Sequence, residues 1–162
     1  MVEIIVRLRN GELIQVPDFT ADVDGGTIDL NPPEEMPRQV YVSPTHRFLF
    51  VEKHIDSTTN IGNVYRWHGR SARMIRVGGM RFDEAAVRYY CERANIPFAA
   101  VTGGGRDIYL IDWPDDHHAV FDVATANWGY QIGPGKRSLF FRAYFDLRRE
   151  RFVHAHPVLR FR

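Results

Sequence analysis

The sequence predicts a β-rich α+β protein, with a largely antiparallel curled sheet or partial barrel and one main helix at about residues 83–95. Three observations favour this class. Short segments rich in β-branched and aromatic residues recur along the chain and are separated by turn residues. Aromatic residues make up 13% of the 162 residues, which is typical of a β-rich core. One segment with a clear helical period lies between the predicted strands.

Residues 1–18 predict an N-terminal β-hairpin. Apolar stretches flank Asn10 and Gly11, a dipeptide favoured where a two-residue turn needs positive φ at both positions. Strands are therefore expected near residues 2–9 and 12–17.

The rest of the chain predicts further short strands, joined by turns and by one connector. A short strand is expected near residues 27–30. The connector, residues 31–38, has the sequence NPPEEMPR, and its three prolines lack backbone donors and fix φ. The C-terminal residues 138–162 predict a second, basic β-hairpin. The chain shows no internal repeat or low-complexity tract, so we expect a single domain over residues 1–162.

One helix is predicted in the segment FDEAAVRYYCERANIP. Asp83 is expected at its N-cap, where the carboxylate would accept hydrogen bonds from free amides of the first turn. Asn95 suits the left-handed conformation that ends many helices, and Pro97 prevents continuation. We expect this helix to pack across the sheet.

The composition favours a cytoplasmic protein. Cys91 is the one cysteine of the chain, so an internal disulfide is impossible and the usual signature of an oxidising compartment is missing. Charged residues interrupt the N-terminal apolar stretch, where a signal peptide needs an unbroken apolar core. No apolar run of the sequence approaches the ~18 residues of a membrane span. We therefore expect a soluble cytoplasmic protein without a membrane partner.

Charge is unevenly distributed along the chain, although the formal net charge is only +1. Residues 1–56 and 83–135 each carry an acidic excess of five, whereas residues 57–82 carry a basic excess of five and residues 136–162 one of six. If the two basic segments fold side by side, this segregation creates a local positive field. The alternative is that strands interleave and the segments neutralise one another.

The C-terminal basic segment has the period of two that indicates strands with distinct faces. Its outward face is expected to mix rings with cations and to hold a single acid. Rings stack on bases and arginines pair with phosphates, so this face is typical of a surface for single-stranded nucleic acid. The alternative is a solvated hairpin whose aromatic residues pair across strands. The expected outward side chains are Phe140, Arg142, Tyr144, Asp146, Arg148, Phe152, His154, His156, Val158, Arg160 and Arg162.

The other basic segment, residues 57–82, combines arginines with aromatic residues and has no acid. Beside the C-terminal hairpin it would extend one basic surface. The alternative is that its tryptophan belongs to the core and its arginines form a solvated face. The residues predicted to contact nucleic acid are Arg66, Trp67, Arg70, Arg73, Arg142, Tyr144, His154, His156, Arg160 and Arg162.

A catalytic alternative uses Asp107 and Asp122, which lie on consecutive predicted strands after the helix. This arrangement, over about residues 82–125, resembles the PD-(D/E)xK nucleases. The resemblance implies that the two acids hold Mg²⁺ and that a lysine two positions after the second acid orients water. The corresponding position is Ala124, so the resemblance implies a degenerate relative.

A metal site is a further alternative. His154 and His156 lie two positions apart on one predicted strand, so both imidazoles point the same way, as a metal site requires. The segment PDDHH, residues 114–118, offers further ligands. No sequence pattern brings these groups together, and we expect neither a metal nor another cofactor.

We therefore predict a protein that binds DNA or RNA, single-stranded or structured, with little sequence specificity, and we do not expect an enzyme. The first alternative is a protein-interaction module, such as a phage- or plasmid-type regulator or an assembly subunit, with an acidic partner or a second copy of the chain. The second alternative is a metal-dependent or degenerate nuclease.

Overall fold

The computed structural model describes residues 3–7, 11–17, 38–56, 59–101, 106–125 and 135–159. These residues form ten strands, one α-helix and a short 3-10 helix at Phe98–Ala100. In chain order the main elements are β1 (Glu3–Arg7), β2 (Leu13–Pro17), β3 (Arg38–Val42), β4 (Phe48–Asp56), β5 (Thr59–His68), β6 (Ser71–Met74), α1 (Phe82–Ala94), β7 (Asp107–Asp115), β8 (His118–Ala124), β9 (Phe140–Asp146) and β10 (Arg151–Pro157).

The described strands form one mixed sheet that curls without closing. Its main path runs β1-β2-β6-β5-β7-β8-β9-β10, and β4 and β3 continue from β5 as a branch. Neighbours are antiparallel except at β2–β6 and β5–β7, where Gln15 lies opposite Ser71 and Asn60 opposite Asp107 in parallel. The predicted class, a β-rich α+β fold with a largely antiparallel curled sheet, is confirmed.

The N-terminal segment forms an antiparallel pair of strands, with Glu3 opposite Pro17 and Arg7 opposite Leu13. The strand expected near residues 27–30 and residues 31–37 of the connector lie outside the described residues. Among the residues that the structure describes, no helix has the length and apolarity needed to cross a membrane.

Helix α1 begins one residue before the expected range and has a different N-cap. The N-cap is Arg81, which makes no side-chain capping hydrogen bond. Asp83 lies in the first turn and is 2% exposed, and its carboxylate accepts from Arg81 at 3.1 Å and from Arg106 at 3.4 Å. The prediction that Asp83 is the N-cap is wrong, because these two arginines hold its carboxylate inside the fold. Asn95 ends the helix at φ 57° and ψ 44°, as predicted.

The larger hydrophobic core lies between α1 and the sheet. The ring of Phe82 is at its centre, with the ring centroids of Phe121, Phe145 and Phe152 at 5.1, 5.0 and 5.1 Å. Aromatic pairs at such separations add favourable edge and face contacts to the burial of apolar area. This packing fixes β8, β9 and β10 against the helix and so positions the turn between β9 and β10.

A second, smaller core lies against the opposite face of β4 and β5. Ile14 and Val16 of β2 pack there with Leu49, Val51 and Tyr65. Strands β4 and β5 are consequently covered on both faces, and β5 lies between the two cores where it approaches the β9–β10 turn.

Candidate nucleic-acid interface

The two basic segments of the chain meet at the turn between β9 and β10. Arg66 on β5 lies opposite Arg73 on β6, and both guanidinium groups pair with the Oε1 atom of Glu150, Arg66 at 3.4 Å. Arg66 also donates a hydrogen bond to the backbone carbonyl of Leu147 at 3.2 Å. Residues from both basic segments, within 59–82 and 136–159, therefore contribute to one continuous surface at this end of the sheet.

The β9–β10 turn is held by hydrogen bonds from its own backbone. The Oδ1 atom of Asp146 accepts from the backbone amides of Arg148 and Arg149, both at 2.9 Å, the pattern of an aspartate that stabilises a turn. Burial by itself would raise the pKa of Asp146, but these two amides and nearby positive charge keep the pKa below its ordinary value. Glu150 has φ 55°, a left-handed conformation that strains a non-glycine residue.

A cleft of about 480 Å³ lies beside this turn, and we call it the basic cleft. Three of its seven lining residues are arginines, and Asp116 is its single acid. The Arg66 guanidinium lies 5.1 Å from the centroid of the Phe48 ring, a cation–π contact that restrains it. The lining residues are Thr45, Arg47, Phe48, Arg66, Asp116, His117 and Arg148.

Three rings form a cluster on the outer face of β9 and β10, which we call the ring cluster. The centroid of Tyr144 lies 5.3 Å from that of His154 and 5.9 Å from that of His156, and the two imidazoles are 5.5 Å apart. His154 is exposed and the other two rings are half-buried. The predicted outward orientation of these three side chains is therefore the observed one.

Arg142, next to the ring cluster, is already engaged by a carboxylate. Its Nε and NH2 atoms donate to the two oxygens of Asp122 at 2.8 and 3.1 Å. The hydrogen bonds to Asp122 raise the pKa of Arg142, against the opposing effect of burial. Strand β8 thus adds Asp122 to the face on which the hairpin itself carries Asp146. This second acid neutralises Arg142, which lies opposite His156 of the ring cluster.

Trp67 is 9% exposed and packs in the smaller core. Its indole N–H donates to the carbonyl of Gly69 at 2.7 Å. In this position the ring presents no open face to a base. Trp67 therefore belongs to the core, the alternative that its sequence segment also allowed.

Phe152 was expected on the outer face, and this expectation is wrong. The side chain is 4% exposed and packs against the Phe82 ring. The register of β10 shifts between Phe152 and His154, so a β-bulge lets Phe152 and Ala155 both face the core. A bulge inserts one extra residue into a strand and thereby reverses the alternation beyond it.

The remaining predicted contact residues lie at the periphery or beyond the described residues. Arg70 is exposed in the turn between β5 and β6, and its carbonyl accepts from the amide of Gln15 at 2.9 Å. Arg160 and Arg162 lie outside the described residues, so their predicted contacts stay predictions.

The candidate catalytic acids lie on adjacent strands but in different surroundings. Asp107 is 2% exposed, and its Oδ1 atom accepts from the amide of Asn60 at 2.7 Å. Ala124 lies opposite Asp107, and Tyr109 lies opposite Asp122, so the two acids are diagonal neighbours. Asp122 is held by Arg142, and the position of the nuclease lysine is occupied by Ala124.

A buried polar cluster that sequence reasoning missed surrounds Asp107. Glu52 is 4% exposed. Its carboxylate accepts hydrogen bonds from the Tyr41 hydroxyl at 3.1 Å and from the side-chain Nδ2 atom of Asn60 at 3.4 Å. Tyr109 lies beside this cluster and is 39% exposed. Its partial burial, followed by the negative charges of Asp107 and Glu52, raises its pKa to about 12. Glu52 and Lys53 follow the apolar run Phe48–Val51 within β4, and both are buried, at 4% and 1% exposed. Charged residues at the end of an apolar run usually indicate a solvated strand end, so the sequence gives no signal for this cluster.

The structure also shows where the candidate metal ligands lie relative to one another. Within the described ranges, no group of three or more histidine, cysteine, aspartate or glutamate side chains is placed to hold a metal ion. His154 and His156 lie in the ring cluster, whereas His118, the first residue of β8, pairs with Asp115, the last residue of β7, at 2.9 Å. The two groups of candidate ligands are therefore separate.

The basic cleft includes Arg47, His117 and Arg148, none of which was predicted as a contact residue. Arg47 belongs to an acidic segment of the sequence, and His117 lies in the next acidic one. Arg148 is among the expected outward side chains of the basic hairpin. No local pattern marks Arg47 or His117 as members of this surface, because their proximity to Arg66 depends on pairings between strands that are distant in sequence. Comparison of the chain with protein-family models, with curated proteins and with solved structures returns no match.

Proposed function

We propose that this protein binds single-stranded or structured nucleic acid through the phosphate backbone, with little preference for base sequence. The observation that supports this most strongly is the meeting of the two basic segments at Glu150. Arg66 and Arg73 come from one segment and Arg148 from the other, and Arg47 joins them from the turn before β4.

The basic cleft has the chemistry that phosphate oxygens require. Its three arginines face one acid, so it carries a net positive charge even with His117 neutral. Guanidinium groups present paired N–H donors that match two phosphate oxygens. In the described part of the chain, Arg47 and Arg148 have no carboxylate partner, whereas Arg66 shares Glu150 with Arg73. We assign Arg47 and Arg148 as the main phosphate contacts.

The ring cluster would supply stacking to the same ligand. Tyr144 and His154 present rings at the surface of β9 and β10, and base–aromatic stacking contributes about 1–3 kcal/mol per base with little sequence preference. Arg142, bound to Asp122, is assigned as a residue that holds this face in place. This refines the predicted role of Arg142 as a phosphate contact.

The decisive experiment is fluorescence anisotropy with a labelled oligothymidylate of about 20 nucleotides, longer than most single-strand sites, at several salt concentrations. Each phosphate contacted on a single strand contributes roughly −0.7 to the slope of log affinity against log salt. The double variant Arg47→Ala/Arg148→Ala should weaken binding and reduce the slope by about 1.4. Lys136→Ala/Arg137→Ala removes the same charge at two exposed residues outside the basic cleft, and this matched control should leave both values unchanged.

A second pair of variants separates stacking from charge. Tyr144→Ala should weaken binding by about 1–3 kcal/mol if a base stacks there, whereas Tyr144→Phe should retain the wild-type affinity. An undetectable affinity for the oligonucleotide at low salt would refute the proposed function. Binding that is unaffected by the cleft substitutions would place the site elsewhere.

The single thiol agrees with the compartment in which we propose that the protein works. Cys91 is buried in helix α1, and burial raises the pKa of its thiol, partly offset by the positive charges of Arg137, Arg88 and Arg106. A buried, protonated thiol is unreactive, as expected of a structural cysteine in the reducing cytoplasm.

A further inference from the structure

A groove of about 550 Å³ runs between helix α1 and strand β10, and we call it the helix groove. It lies beside the β9–β10 turn, whose residue Arg149 lines it, whereas the preceding residue, Arg148, lines the basic cleft. The lining residues of the helix groove are Val77, Met80, Ala85, Arg88, Tyr89, Glu92, Arg93, Arg149, Arg151, Phe152 and Val153.

The floor of the helix groove is apolar. Ala85 and Phe152 are buried members of the larger core, and Val77, Met80 and Tyr89 are partly buried against it. Partly buried aliphatic and methionine side chains are typical of surfaces that accept apolar side chains of a partner, because methionine adapts to different shapes.

The rim of the helix groove is strongly basic, with four arginines and one acid, Glu92. The Arg149 Nε atom lies 4.0 Å from Asp146, and the Arg149 side chain is 66% exposed. Arg151 is also exposed. The Arg88 guanidinium, in contrast, is paired with Glu84 at 3.0 Å and lies 3.9 Å from the centroid of the Phe98 ring. A ligand that fills this groove must therefore combine apolar groups with negative charge.

Nucleic acid matches this groove less well than a peptide does. The faces of the Tyr89 ring, which a base would need for stacking, are occupied. The Arg93 guanidinium lies 5.1 Å from the centroid of this ring, and the centroid of the buried Phe152 ring lies 6.2 Å from it. Phe152 itself is 4% exposed. Aliphatic floor residues offer no stacking to bases, but they bury leucine or phenylalanine side chains favourably.

The backbone of β10 favours a helical over an extended peptide. The β-bulge between Phe152 and His154 interrupts the regular ladder of β10, and Pro157 ends this strand without a donor. Both features discourage the addition of another strand at a sheet edge. A helix lying in the groove needs no ladder, because it places apolar side chains at positions i, i+3/i+4 and i+7 into the floor.

From the apolar floor and the basic rim together, we infer that the helix groove is a docking site for an acidic amphipathic helix of a partner protein. The apolar face of that helix packs on Met80, Tyr89 and Val153. Its flanking carboxylates pair with Arg149 and Arg151. The site is distinct from the basic cleft and does not depend on the proposed function.

The test uses a fluorescein-labelled synthetic peptide of about 18 residues, five helical turns, with leucine at i, i+3/i+4 and i+7 and glutamate on both flanks. The full-length protein should bind it saturably in fluorescence anisotropy. A peptide with serine at the leucine positions and one with lysine at the glutamate positions should both bind at least about tenfold more weakly.

Two protein variants locate the binding. The double charge reversal Arg149→Glu/Arg151→Glu should weaken binding of the peptide by about tenfold or more, because both side chains are exposed. Val153→Asp, which places a charge in the lining of the groove, should also weaken binding of the peptide. Lys136→Glu/Arg137→Glu makes the same change of charge at two exposed residues outside the groove and should bind as the wild type does. Thermal melts compare the folding of all variants, and the exposed arginine pair retains the test if Val153→Asp unfolds.

A competition experiment separates the two sites. Unlabelled oligothymidylate should leave the peptide bound in the helix groove, whereas the charge-reversed groove variant should retain its affinity for the oligonucleotide to within a few fold. The inference is overturned if the acidic peptide fails to bind, if all three peptides bind equally, or if the oligonucleotide displaces the peptide and the groove variant loses both ligands. In the last case the groove belongs to nucleic acid.

Discussion

Substitution of Glu150 gives the sharpest test of how the two basic segments are joined. Its carboxylate is the shared partner of Arg66 and Arg73, and its backbone is left-handed at φ 55°. Glu150→Gln removes the charge and keeps the backbone preference. Glu150→Gly removes the charge and also relieves the left-handed strain, because glycine adopts positive φ without a steric cost.

The magnitudes follow from exposure and backbone geometry. The arginine side chains are 41% and 58% exposed, so each pair is a surface ion pair that contributes about 0.2–1 kcal/mol. Loss of both should lower the free energy of unfolding of Glu150→Gln by about 1 kcal/mol. Left-handed strain at a non-glycine residue costs about 1–2 kcal/mol, so Glu150→Gly should lie within about 1 kcal/mol of the wild type.

Urea denaturation of the wild type and the two Glu150 variants, at low and at high salt, measures these differences. The loss in Glu150→Gln should shrink at high salt, because salt screens exposed charges. Both variants should bind oligothymidylate more tightly than the wild type, since Arg66 and Arg73 are released. Glu150→Gly clearly less stable than Glu150→Gln, or no gain of affinity in either variant, would refute this account of the turn.

Three further substitutions test the packing and the buried charges. Gly62→Ala places a Cβ atom 2.2 Å from Cζ of Phe50 and should lower the free energy of unfolding by about 1–3 kcal/mol. Adding Phe50→Leu to this variant should recover part of that loss. Strictly additive losses of the two substitutions in urea denaturation would contradict the close contact. Asp83→Ala leaves two partly buried arginines without their carboxylate and should cost about 3–5 kcal/mol; a thermal melt close to that of the wild type would refute this. Because the pKa of Tyr109 is raised from 10.0 to about 12, its favourable contribution to stability is complete below pH 10 and is lost as the pH rises through about 12. Tyrosinate absorbance of the wild type minus that of Tyr109→Phe measures this pKa, and a value near 10 would contradict the burial argument.

Local signals in the sequence predicted the features that local physics determines. Asn95 and Pro97 marked the end of α1 because a left-handed cap and a missing donor act within a few residues. The alternation along 140–146 gave the faces of β9 correctly because a strand without a bulge keeps a period of two. The fold class followed from these periodicities.

Features that depend on distant contacts escaped prediction. The bulge that turns Phe152 into the core has no clear local signature, because it is favoured by packing against Phe82 and by the pairing of β10 with β9. Trp67 is buried because β2 and β6 bring a second core against β5. The composition of its own segment, rich in arginine, did not indicate this.

In the candidate site, too, some residues could be predicted from local sequence and others depend on contacts between distant strands. The meeting of the two basic segments was an expectation from charge segregation, and Arg66 and Arg73 were predicted members of the surface. Glu150, which joins the segments, and Arg47, which completes the basic cleft, depend on the order of strands in the sheet. Parallel pairings such as Asn60 opposite Asp107 connect strands with long intervening chain, and no local rule specifies their register.

The burial of β4 and β5 on both faces has a consequence for the rate at which their backbone amides exchange with solvent. Transient opening of either core leaves these two strands covered on their other face, so we expect their amides to exchange with solvent more slowly than those of β1 or β10. The Arg66 side chain extends from β5, one of the two strands whose amides we expect to be protected from exchange. Fluctuations that expose the interior would therefore leave the Arg66 guanidinium in its position in the basic cleft.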